Sequence, residues 1–188
     1  MTLFGCLITF VVAQRLVELI IAKRNEKVLK KKGAIEVGEE HYKWIILLHV
    51  LFFASLIVEV YVRHIQFTYW SFVPLALFIA AQSLRLWSLY TLGEFWNTKI
   101  IVLPGESVIA SGPYRYLKHP NYLVVAIEIF TLPLMFHAYF TMIAFSLLNA
   151  LVIVMIRIPD EEKALAEVTD YHKKMSNRKR FVPTPPRK

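Results

Sequence analysis

Cysteine is almost missing from this chain. Cys6 is the only one in 188 residues. An intrachain disulfide is therefore impossible, and zinc sites of the cysteine-cluster type are excluded. Several catalytic signatures are absent as well. There is no GxSxG elbow, no HExxH helix, no P-loop and no GxGxxG turn. A soluble Rossmann domain is thus not encoded, and any cofactor must sit in a pocket built from loops and helix ends. The first apolar run has neither a basic n-region nor a small-x-small cleavage site, so it is expected to be a retained span rather than a signal peptide. No internal repeat or low-complexity tract is visible.

What is present is apolar. Hydrophobic residues make up 56% of the chain and the mean hydropathy is +0.47. About 20 apolar residues cross a bilayer core, and five such stretches are readable. They are Thr2–Ala22, Trp44–Val62, Trp70–Leu92, a short one from Tyr122 to His137, and Ala138–Ile156. The last two follow each other almost without a loop and are expected to form a tight helical hairpin, with Pro133 kinking its first arm. Within the spans, Arg15 and Glu18 lie three apart on one helical face, which reads as a structural ion pair. Gln82 and Arg85 either line a cavity or, for Arg85, snorkel to the interface.

The net charge of +8 does not indicate nucleic acid, because the cations are confined to loops and tail beside apolar spans. Lysines and arginines crowd residues 23–43, recur at Lys99, Arg115 and Lys118, and fill the tail from Arg157 to Lys188. The opposite side holds only Arg63. By the positive-inside rule the N-terminus is outside and the C-terminus cytoplasmic, and five spans satisfy that arrangement. Lys30 to Lys32 read as a lipid-facing topology determinant.

Two polar groups then share the cytoplasmic side. One is Ser111-Gly112-Pro113-Tyr114-Arg115-Tyr116-Leu117-Lys118-His119-Pro120-Asn121-Tyr122. Its two prolines make a continuous helix unfavourable, so an ordered loop or broken helix is expected. The other begins at Arg157. Pro159 followed by Asp160, Glu161 and Glu162 reads as the first turn of a tail helix, with acids at the positive dipole end. Cations, carboxylates, a histidine and aromatic faces in one place suit a zwitterionic ligand carrying a ring. Each residue also has a plainer reading: Arg157 as an interfacial anchor, the tyrosines as belt aromatics, Glu161 and Glu162 as a helix start. Glu128 stands mid-span, where an ionisable side chain is costly and functional by default. It could also be neutral and simply hydrogen-bonded. His41, His49, His64, His137 and His172 receive no role.

The pattern GPYRYLKHPNY, then a hairpin, then R-x-x-x-E-E-x-x-L at Arg157, Glu161, Glu162 and Leu165, resembles the isoprenylcysteine carboxyl methyltransferase family. The resemblance covers roughly Leu84 to Pro183. In the first half, Arg15 to Leu19, Arg24-Asn25, Lys32 to Ala34 and Glu39 to Tyr42 are similar to a bacterial subgroup. Some of its members accompany type III polyketide synthases and methylate alkylpyrones or alkylresorcinols. Lys118 departs from the pattern, since the family usually has arginine there, and lysine lacks the bidentate fork.

The resemblance implies S-adenosylmethionine as cofactor. It implies Tyr114, Lys118, His119, Pro120, Tyr122, Glu161 and Glu162 as cofactor-binding residues. Arg157 and Glu128 are the catalytic candidates, and no metal is implied. The expected fold is an all-α integral membrane protein of five transmembrane helices, with the cofactor pocket at the cytoplasmic face of a bacterial inner membrane. The expected organisation is a two-span unit (1–62), a methyltransferase core (63–183) and a Pro/Arg/Lys tail (184–188). The expected activity is methylation of an oxygen on a lipophilic small molecule arriving from the bilayer. A carboxyl methyltransferase of a prenylcysteine-like or other lipid acid is the alternative within enzymes, and a non-enzymatic transporter or assembly factor the alternative outside them.

Overall fold

The computed structural model describes residues 2–63 and 67–184. His64 and the tail residues Pro185, Pro186, Arg187 and Lys188 lie outside them. The chain opens with α1 (Thr2–Lys31), whose 30 residues make a rod of about 45 Å. It outruns the expected first span, because helix-favouring lysines and glutamates carry it past the apolar part. Next come α2 (Glu39–Val62) and α3 (Phe72–Leu92), then α4 (Pro120–Leu134) and α5 (Tyr139–Val152). A five-residue π turn, Ile153–Arg157, joins α5 directly to α6 (Ile158–Val168), and the short α7 (Tyr171–Met175) follows. The fifth span and the tail helix are therefore one rod, Tyr139–Val168.

Among the described residues, four helices are long and apolar enough to cross a membrane, and no Rossmann fold is present. The fourth expected span is a shorter apolar helix of 15 residues, about 22 Å long. Pro133 ends it rather than kinking it: the proline lies one residue from the last, and its carbonyl accepts the N–H groups of Phe136 and Ala138 at 3.0 Å.

The all-helical expectation also needs correction. Two strands, β1 (Ile35–Val37) and β2 (Ile100–Val102), pair antiparallel with Ile35 opposite Val102. Three-residue strands carry too little pattern to be read from sequence, and their partner lies on a distant loop. Ile100 and Val102 pack on Ala164, so the ribbon rests on α6.

The core between the helices is apolar and aromatic. Phe4 meets Phe136 edge-on at 4.8 Å, and Phe52 meets Phe145 at 5.7 Å. The outer surface is apolar too: Ile20, Val62, Phe140 and Met155 are each about 70% exposed. A soluble protein would not present so large an apolar surface to water; facing lipid, it costs nothing. The protein is integral to a membrane. The start of α1 packs beside the α4–α5 turn, whereas the α1 end, both strands and the tail gather at the opposite pole.

Candidate active site

The loop 112–119 is held by contacts that its sequence requires. Gly112 has φ +55°, and a Cβ there would lie 2.3 Å from Thr91 Oγ1. Only glycine lets the loop lie this close to α3. The tail then runs beside the loop: the Lys118 N–H donates to the Lys179 carbonyl at 3.1 Å, and the His119 N–H to that of Arg180 at 3.4 Å. His119 precedes α4, with Pro120 at the first helical position.

His119 is buried and faces both acids of α6. Its Nε2 lies 3.0 Å from Glu162 Oε1, and its Nδ1 lies 3.6 Å from Glu161 Oε1. Burial disfavours the imidazolium, but the two carboxylates outweigh it and raise the pKa to about 9. Glu162 also accepts from Arg180 Nη2 at 2.7 Å and from the Tyr171 hydroxyl at 3.2 Å. Burial works against its charge, yet the hydrogen bonds from His119 and Arg180 hold it well below the ordinary carboxylate range. Glu162 thus ties loop, α6 and tail together.

Arg157 arrives on the π turn. Pro159 has no N–H to give the preceding turn, and a wider turn accommodates the loss. Arg157 Nη2 donates to the Thr98 carbonyl at 3.0 Å, and its guanidinium lies 5.9 Å from the centre of the Tyr122 ring. The Tyr122 hydroxyl donates to Glu161. Asn149, Ile153, Arg157, Glu161 and Leu165 recur every four residues along this rod, and all face one cavity.

That cavity has a volume of about 440 Å³, within the range of small-molecule sites. Its polar half is walled by Tyr114, Lys118, His119, Tyr122, Arg157 and Glu161. Its apolar half runs between α1, α2 and α5, past Leu19, Ile46 and Val50, three side chains exposed on the lipid-facing surface. Three residues of the wall carry a buried polar atom without a partner: Arg85 Nε, Trp96 Nε1 and Asn121 Oδ1.

Of the sequence-predicted residues, Pro120 begins α4 and is not on the wall, and Glu162 stands behind it. Glu128 belongs to a different group. Its carboxylate is bound by Arg15, Arg85 and Gln82, while Glu18 accepts from Arg15 at 2.8 Å and Arg85 at 3.0 Å. The expected Arg15–Glu18 pair is thus two corners of a closed, charge-neutral ring across α1, α3 and α4. Arg85 is 1% exposed and lines the cavity, so it does not snorkel.

Sequence reading missed His49, Asn149 and Trp96, all on the wall. Asn149 could have been found, because it lies two turns before Arg157 on one helical face. Nothing in the local sequence marks Trp96.

The fold and site define a membrane-embedded helical bundle whose cavity joins a charged, aromatic pole to an apolar flank. Comparison with known proteins makes this specific. The isoprenylcysteine carboxyl methyltransferase (ICMT) family matches residues 72–167, just over half of the chain. An uncharacterized protein, YpbQ of Bacillus subtilis (strain 168), is 47% identical over 165 residues, covering 88% of this chain and 98% of its own. An uncharacterized protein of Haemophilus influenzae (strain Rd) is 34% identical over 166 residues, covering 88% and 94%. The chain belongs to the ICMT family and is a membrane methyltransferase.

Proposed function

We propose that this protein transfers a methyl group from S-adenosylmethionine to an oxygen of a lipophilic, ring-bearing small molecule of the alkylpyrone or alkylresorcinol type. The observation that carries the reading is that one cavity has both a charged half and an apolar half. A charged cofactor and a lipid acceptor need such opposite surroundings, and they must meet where the two adjoin.

The residues present fit the cofactor. Arg157, whose hydrogen bond to Thr98 goes to a neutral carbonyl, offers positive charge to a carboxylate, and His119 holds Glu161 in place. Glu161 and the unpartnered Asn121 Oδ1 offer acceptors to an amino group and hydroxyls. The Tyr122 face suits a sulfonium or a purine. Trp96 Nε1 is a buried donor whose burial without a partner costs about 1–3 kcal/mol, and a bound acceptor atom would satisfy it. When bound, S-adenosylmethionine supplies an activated methyl on a positive sulfur. The chain's part is to hold the acceptor oxygen in line and exclude water. The bacterial relatives support a bacterial inner membrane. The cation distribution supports a cytoplasmic polar pole.

The test is calorimetric titration of S-adenosylhomocysteine into detergent-purified protein. Wild type is expected to bind, and Glu161→Gln to bind about tenfold or more weakly, as expected for a charge-assisted hydrogen bond. A folded wild type that does not bind overturns the reading. Transfer of labelled methyl to a lipid acid but not to an alkylresorcinol would replace the acceptor with a carboxylate.

A further inference from the structure

The cavity holds a second polar level that the cofactor assignment does not use. On α2 the wall positions are Tyr42, Ile45, Ile46, His49, Val50 and Phe53, a stripe of helical period. This helix packs antiparallel to α5. Ser55 meets Thr141 at 2.8 Å and Phe52 meets Phe145, so the same register brings His49 level with Asn149. Nearer the polar pole, Tyr42 bonds Thr98 Oγ1 at 3.0 Å, and Thr98 takes Arg157. His49 therefore lies about 10 Å deeper than Tyr42, two helical turns into the membrane.

The chemistry of this level is specific. His49 Nδ1 lies 2.8 Å from the Ile45 carbonyl. A carbonyl only accepts, so in the neutral imidazole the ring proton is on Nδ1 and Nε2 presents a lone pair. Asn149 is 4% exposed and its side chain lines the cavity. The charged groups facing His49 are Arg15, Arg85 and Glu128. Both arginines already bridge Glu18 and Glu128. The Arg85 Nε is buried without a partner, while its two terminal nitrogens are held by Glu18 and Glu128. The level thus offers one bare acceptor, one amide and a neutralised ion ring. A hydroxyl fits: it donates to Nε2 and accepts from the amide. A carboxylate does not, because it would meet a lone pair and arginines already neutralised.

We propose that His49 and Asn149 form a hydroxyl-recognition subsite that selects phenolic or enolic lipids over lipid acids. The inference rests on the methyltransferase reading for its role as the acceptor site. As a binding site it stands alone.

The experiment measures binding of pentadecylresorcinol, its dimethyl ether and palmitic acid to the detergent-purified full chain. His49→Phe and Asn149→Leu, two shape-conserving changes, are compared with wild type, and S-adenosylhomocysteine affinity is measured in parallel. Wild type is expected to prefer the resorcinol about tenfold over both other probes, the worth of one or two hydrogen bonds. Each variant is expected to lose that preference while binding S-adenosylhomocysteine as wild type does. Palmitic acid binding as tightly as the resorcinol, or a preference kept in both variants, overturns the proposal. Should one variant fail to fold, the other and the wild-type preference still decide. A resorcinol preference without S-adenosylhomocysteine binding sinks the methyltransferase reading and leaves the subsite standing. The reverse sinks the subsite alone.

Discussion

His119 shows how neighbours turn an ordinary imidazole into a lasting charge. Unfolded, it titrates at about 6.5; folded, at about 9. A raised pKa means that the contact of loop, α6 and tail is fully stabilised below about 6.5. The contribution declines as pH rises from there and is gone above about 9. Melting curves across this window should therefore show wild type losing more stability than His119→Gln. Parallel curves would refute the charge on His119. The HPNY run marked this histidine in the sequence. Its partners were only partly legible: Glu161 and Glu162 are adjacent, but neighbours on a helix point about 100° apart. Only packing shows that Glu161 faces the cavity while Glu162 is taken by His119, Tyr171 and Arg180.

Among the elements, the π turn does most to shape the site. Pro159 was legible as a helix-start residue, and α6 does begin beside it. That the helix runs on unbroken from α5 was not legible, because a proline in sequence reads as a boundary. The wide turn absorbs the missing N–H and sets the angle at which Arg157 reaches Thr98. Pro159→Ala restores the donor and favours an ordinary α turn. The expected result is S-adenosylhomocysteine affinity lowered about tenfold with no loss of melting temperature, since alanine is the better helix former. Unchanged affinity would mean that packing, not proline, maintains the turn. The β1–β2 ribbon makes the same point from the other side: its strands are too short to read, and pairing across 65 residues creates them.

Across the whole molecule, the ring of Arg15, Glu18, Arg85 and Glu128 fastens α1, which lies outside the matched residues 72–167, to α3 and α4 inside them. Removing one member of a buried ion group strands the others. Arg85→Met is expected to destabilise the detergent-solubilised protein by about 3–5 kcal/mol. Adding Glu128→Met removes the stranded carboxylate, leaves the Arg15–Glu18 pair, and should recover much of that loss. A thermal or denaturant unfolding series measures both. A single-variant cost below about 1 kcal/mol would show that the ring does not bind the helices together. Neither Arg85 nor Glu128 announces the other in the sequence, since they are 43 positions apart. Each is legible only as an expensive charge in an apolar run.

The sequence by itself determined the membrane class, most of the spans and the two motif segments at one pole. Those follow from local properties: apolar length against bilayer thickness, charge beside the spans, and proline and glycine where helices break. Only the tertiary structure decided that α4 is short, that α5 and α6 are one rod, and that a ribbon rests on α6. It alone brought His49, Asn149 and Trp96 to the wall and enclosed Glu128 in a neutral ring. Those features depend on which distant groups share a low-dielectric space, where a polar atom must find its partner across the fold.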